Sequence, residues 1–169
     1  MRLSTRDWAS LAMTQPSLTL VAAWAWCAAL VLATILIHVL GIAQITRTLR
    51  RFWTDDVDRE FTFFDSSAGA IAIVVVIAFA LAIFHTIEAF IWAIAYLKLG
   101  AFPSMTDAML YSLGSMTTRG SSGFHVEPVW AIMGAAEAGD GMLLFGISTA
   151  FLFSIMLRLR QVISHRSGP

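Results

Sequence analysis

From Trp8 to Thr46 the chain carries no Asp, Glu, Lys or Arg. Within that stretch residues 17–42 are almost wholly apolar, and a helix that crosses a bilayer needs about 20 such residues. The run therefore predicts a first transmembrane helix, preceded by an N-terminal segment over 1–16. It is too long and begins too far along the chain for a signal peptide, no small-residue cleavage site follows it, and no lipobox precedes Cys27. The whole chain has the same character. It is 58% hydrophobic and 13% charged, with a mean hydropathy of +0.76, whereas a soluble domain is about 25% charged. A soluble globule is excluded. Eleven basic and eleven acidic side chains give a formal net charge of +0, which leaves no electrostatic footprint for nucleic acid. With Cys27 alone, no intrachain disulfide can form.

Residues 43–67 read as a polar connector, because Arg47, Arg50, Arg51 and Arg59 lie there beside Asp55, Asp56, Asp58, Glu60 and Asp65. A short amphipathic piece is expected around 61–64. A second apolar run over 68–97 predicts the next span and carries His85 and Glu88. A third, over 131–157, has its acidic residues, Glu137 and Asp140, near its start and leads into a tail over 158–169. Three spans put the termini on opposite sides. Basic residues near span ends favour the cytoplasm. The four connector arginines with Arg158, Arg160 and Arg166 outnumber Arg2, Arg6, Lys98 and Arg119. The connector and the C-terminal tail are therefore expected on the cytoplasmic side of the cell membrane, with lipid as the immediate partner.

Between the second and third spans, residues 104–117 predict a pore helix whose regular part, 105–116, is only about 18 Å at 1.5 Å per residue, too short to cross. Ser104 followed by Asp107 is the S-x-x-D form of a capping box, and the acid also suits the positive end of the helix dipole. The chain then becomes polar over 117–123: Thr117, Thr118, Arg119, Gly120, Ser121, Ser122 and Gly123. Irregular backbone at membrane depth is tolerated only where protein or a water-filled cavity covers it. Span, half-helix, polar loop and span together describe a pore module, with the negative end of the half-helix aimed at the axis. An external loop with a short surface helix is the competing reading.

These residues resemble the pore domain of potassium channels, and more closely a group of small bacterial channel-like membrane proteins that share it. The likeness covers residues 85–155. It rests on His85-x-x-Glu88 with Trp92 and Tyr96, on AMLYSLGSMTT before the loop, and on Glu137 with GMLLFGISTAFLF in the third span. The resemblance implies an all-α membrane fold of three spans plus a re-entrant pore helix, assembled as a homotetramer around the loop. It also implies that Gly146 falls where an inner helix bends in gating, and that His85 and Glu88 lock the second span to the pore helix. The loop departs from the family pattern. A potassium filter reads T-V-G-Y-G, with carbonyls that replace the ion's hydration shell; here the aligned residues are Thr118, Arg119, Gly120, Ser121 and Ser122, with Gly123 where an Asp usually follows. Ser122 stands where the second filter glycine would adopt an angle that strains other residues by roughly 1–3 kcal/mol. Arg119 replaces an aliphatic side chain with a guanidinium that needs an acid or water beside it.

Glu137 and Asp140 are candidate partners for Arg119. Residues 98–140 also carry Asp107 and Glu127 against Lys98 and Arg119, a formal −2 that attracts cations. His85, Glu88, Glu137 and Asp140 form the expected buried charge network. A His and a carboxylate one turn apart could also make half of a metal or proton site, but a structural role is the expected one. His38 reads as an interfacial or helix-to-helix hydrogen bond, and His125 with Glu127 as solvated loop residues. Gly134 with Ala138, Ala135 with Gly139 and Gly146 with Ala150 make small-xxx-small pairs suited to close packing. Ser148 and Thr149 are as easily explained by back-bonding to helix carbonyls as by lining an ion path. No hydrolase, nucleotide or zinc-enzyme motif is present, so neither catalysis nor a cofactor or resident metal is expected. The expected function is a potassium-channel-like pore for a monovalent ion, with altered or lost potassium selectivity. The alternative is a non-conducting membrane scaffold or accessory subunit. A redox or metal-handling enzyme built on His85 and Glu88 is the third reading.

Overall fold

A chain in hydrocarbon must pair its own backbone N–H and C=O groups, and this one does so with helices. The structure, a computed structural model, describes residues 5–55, 67–120, 123–124 and 126–166. Four helices follow one another: α1 (Thr5–Asp55), α2 (Ser67–Lys98), α3 (Met105–Met116) and α4 (Pro128–Arg166). Among the described residues there is no strand. Three stretches, Leu20–Arg51, Ala68–Lys98 and Pro128–Gln161, are long and apolar enough to cross a membrane. The chain is an all-α membrane protein. Val21, Leu32, Val76 and Phe79 stand exposed on these helices, as side chains facing lipid do.

Helix α1 extends in both directions beyond the apolar run. It passes through Pro16 and continues past residue 42 to Asp55, so the first part of the polar connector is helical. No Gly or Pro lies between Gly41 and Asp55, and the Leu, Gln and Arg residues there are good helix formers. The amphipathic piece expected around 61–64 lies outside the described residues.

The chain divides into two compact units. The first comprises Met1–Thr34 and Ala89–Gly141, the second Ile35–Glu88 and Met142–Pro169. Each has its own core. In the first, Ala23, Cys27 and Leu30 of α1 pack with Trp92, Tyr96, Phe102, Tyr111, Met116 and Met133. The Tyr111 ring meets Tyr96 edge-on at 5.1 Å and lies 4.9 Å from Phe102, which meets Phe124 at 5.5 Å. Such pairs contribute about 0.5–1.5 kcal/mol each beyond the area they bury. In the second, Ile77, Leu81, Ile155 and Leu159 pack with Ile42, Ile45, Leu49 and Phe84.

Helix α2 ends on a left-handed Gly100, φ 78°, and the amides of Leu99, Gly100 and Ala101 fold back onto the carbonyls of Ala95, Leu97 and Tyr96. Glycine adopts that conformation without the Cβ clash. The start of α3 follows the capping box: Ser104 is extended (φ −134°, ψ 152°), accepts from the Asp107 amide at 3.1 Å, and donates to the Asp107 carboxylate at 2.7 Å. Removing the cap with Ser104→Ala is expected to destabilise α3 by about 1 kcal/mol. Hydrogen exchange should show faster exchange of the first-turn amides of α3, while Ser104→Asn leaves them protected.

Candidate functional site

The loop that leaves α3 first satisfies the helix. The amides of Thr117, Thr118 and Gly120 donate to the carbonyls of Leu113, Ser115 and Gly114 at 3.1, 2.9 and 3.1 Å. Carbonyls otherwise left open at the negative end of the helix are thus used by the loop itself. The turn needs left-handed backbone at Thr118 (φ 58°), Gly120 (φ 81°) and Gly123 (φ 91°). For Thr118, which has a Cβ, that conformation costs about 1–2 kcal/mol. A Cβ on Gly114 would stand 2.8 Å from the Gly120 carbonyl oxygen, so the return of the loop requires glycine there. Thr117, Thr118, Arg119, Gly120 and Gly123 are exposed, while Ser121, Ser122 and His125 lie outside the described residues. No ion pair joins Arg119 to Glu137 or Asp140 among the described residues.

Both acids are engaged elsewhere in the first unit. Glu137, fully buried, accepts from the Tyr96 hydroxyl at 2.9 Å and lies against the Ser112 hydroxyl, which is also 2.7 Å from the Ala89 carbonyl oxygen. Asp140 accepts from Thr34 at 2.6 Å and from the Trp92 indole at 3.3 Å. Four helices are tied together by two carboxylates. Tyr111 donates to the Trp130 carbonyl at 3.3 Å, and burial pushes its phenol up from the ordinary value, so it stays a donor.

The second unit holds a different cluster, closed on itself. Glu88 and His38 are fully buried, and His85 nearly so. His38 places Nδ1 2.8 Å from Glu88 Oε1 and Nε2 3.0 Å from the Ser148 hydroxyl. His85 repeats the arrangement, with Nδ1 3.1 Å from Glu88 Oε2 and Nε2 3.1 Å from the same hydroxyl. The His85 ring also stacks on Phe145 at 4.1 Å. No family model, curated protein or solved structure matches this chain. The functional reading therefore rests on these residues.

Of the expected charge network, His85 and Glu88 belong to the second unit and Glu137 and Asp140 to the first. Within the second unit Glu88 meets His38 of α1. What joins α2 to α3 is Ser112 on the Ala89 carbonyl, with Tyr96 against Tyr111. Sequence reasoning missed Thr34 and Ser112 and did not foresee Ser148 as a partner of the two histidines. A signal was present: residues 85, 88, 92 and 96, and residues 137, 140, 144 and 148, recur at helical spacing on one face. Among the small residues, Gly134 fits the packing reading, because a Cβ there would strike the Tyr111 hydroxyl. An equally close approach occurs at Gly141, outside the noted pairs, where a Cβ would strike the Met116 carbonyl oxygen. At Gly146 nothing lies within 4 Å of an added Cβ, so packing does not require glycine at the hinge candidate.

Proposed function

We propose that the chain is one subunit of a homotetrameric, potassium-channel-like ion pore, in which α3 is a re-entrant half-helix and 117–123 is the pathway loop. The observation that carries this reading is α3 itself. It is a capped, twelve-residue helix lying between two membrane-spanning stretches and leading into an exposed loop with left-handed backbone at Thr118 and Gly120. Polar irregular backbone at membrane depth is tolerated only where protein or a water-filled cavity covers it, and one chain supplies a single half-helix, so a central pathway takes several copies. The permeant species is a monovalent cation, potassium or less selectively any, because the loop lacks the second filter glycine. In this reading the C-terminus lies in the cytoplasm and the protein resides in the cell membrane. The exposed Arg119 favours one second reading, a non-conducting scaffold that keeps the fold.

Flux from liposomes holding the purified assembly tests the proposal, with potassium, sodium and chloride gradients run separately. Cation flux is expected, rising several-fold in Arg119→Ala as guanidinium repulsion leaves the pathway. Silence in both proteins, with the assembly intact by mass, would replace the pore with the scaffold.

A further inference from the structure

With both imidazoles neutral and Glu88 ionised, the four contacts of the cluster in the second unit share only three protons. If both imidazoles donate Nδ1–H to the Glu88 carboxylate, both Nε2 atoms become acceptors facing Ser148. That hydroxyl has a single proton, so one nitrogen is left without a donor. The geometry shows a gap at another corner as well. His85 Nδ1 and Glu88 Oε2 face each other at 3.1 Å, yet neither makes a hydrogen bond, and both atoms are buried. Unpaired polar atoms are costly in a membrane interior.

A cation at the Nδ1 corner resolves both defects. Each imidazole then carries its proton on Nε2, and both N–H groups donate into the two lone pairs of the Ser148 oxygen, 3.0 and 3.1 Å away. The Nδ1 lone pairs and the carboxylate are left for the ion. One ligand atom from each of His38, His85 and Glu88 lies within 4.8 Å of the others. Zinc bonds of about 2.0–2.2 Å need ligand atoms roughly 3.3–3.5 Å apart, so a pair at the 4.8 Å limit closes by about 1.3 Å on binding. Two imidazoles with one carboxylate select a transition metal over magnesium or calcium, which prefer oxygen ligands. Ligating histidines donate their other ring N–H to a carboxylate, backbone carbonyl or water; here the Ser148 hydroxyl takes that place for both.

We infer that His38, His85 and Glu88 form a binding site for a divalent transition-metal cation, with Ser148 orienting both imidazoles. The site draws a ligand from α1, two from α2 and its support from α4, so metal binding cross-links the helices of the second unit. A fourth coordination position remains for hydroxide, which would cancel the charge left by one carboxylate on a divalent ion. The inference does not depend on ion conduction, and the two can fail separately.

The test uses the full chain, purified without a histidine tag, stripped with chelator, and titrated with zinc, cobalt or magnesium. One zinc per chain is expected, with a rise in Tm, a cobalt visible spectrum of tetrahedral intensity, and no response to magnesium. Glu88→Gln and His85→Gln should each abolish the cobalt spectrum, and Ser148→Ala should weaken zinc binding about 10–100-fold. Should a ligand variant fail to fold, Ser148→Ala and the native chain still decide the matter. The absence of saturable zinc binding by folded native protein overturns the inference, as does binding that Ser148→Ala and Glu88→Gln leave unchanged.

Discussion

Glu137→Ala is expected to destabilise the protein by about 3 kcal/mol, whereas Glu137→Gln is expected to stay within about 1 kcal/mol of the native chain. The carboxylate is fully buried and joins Tyr96 of α2 to Ser112 of α3. Alanine leaves the phenol without its acceptor, removes one partner of the serine and opens a cavity, and each buried polar group so abandoned costs about 1–3 kcal/mol. Hydrogen bonds between membrane helices average less, about 0.6 kcal/mol, because unfolded helices in lipid find other partners. The cavity and the number of groups affected keep the total near the stated value. Glutamine offers a carbonyl to Tyr96 and an amide to Ser112, so both contacts survive. Thermal unfolding in detergent of the three proteins checks this, and a glutamine variant as damaged as the alanine one would show that the negative charge itself is required.

Gly141→Val should be equally damaging for a steric reason. At Gly141 of α4, a Cβ would collide with the backbone oxygen of Met116, the last residue of α3, and with the Met116 side chain. A backbone atom cannot rotate away, so α3 and α4 must separate where they now touch. Overpacking costs about 1–3 kcal/mol even for small insertions, and a branched side chain lies at the upper end. Gly146→Ala supplies the control on the same helix. With nothing within 4 Å of its Cβ, it should leave Tm unchanged or raise it through a helix-propensity gain of up to about 1 kcal/mol. If both variants melt alike, close approach is not what Gly141 provides. The control also bears on Gly146 as a hinge, since a substitution that preserves stability but alters flux would separate bending from packing.

Much of the architecture was legible in the sequence because it follows from local chemistry. Three apolar runs longer than a bilayer needs give three long helices, and Ser104 with Asp107 marks the start of α3. Helix ends were less legible. The charged residues from Arg47 onward suggest a connector, but charge alone does not stop a helix that meets neither Gly nor Pro, and α1 runs on to Asp55. At the candidate site, the residue types were readable and their partners were not. Arg119 was matched with Glu137 and Asp140 by charge, but these acids take hydroxyl and indole donors from Thr34, Trp92, Tyr96 and Ser112 instead. Neutral donors are numerous in an apolar helix, and nothing in their spacing says which acid they face.

The sequence by itself determined that this is a helical membrane protein with a short capped helix and a polar, glycine-containing loop between its last two spans, because hydropathy, capping and turn chemistry act between near neighbours in the chain. The tertiary structure alone decided that His38 and Ser148 complete the cluster around His85 and Glu88. It also decided that Gly141 lies against the backbone of Met116. Each of these depends on which faces of distant helices meet, with His38 and Ser148 lying 110 positions apart in the chain, and side-chain periodicity fixes a face without naming its partner.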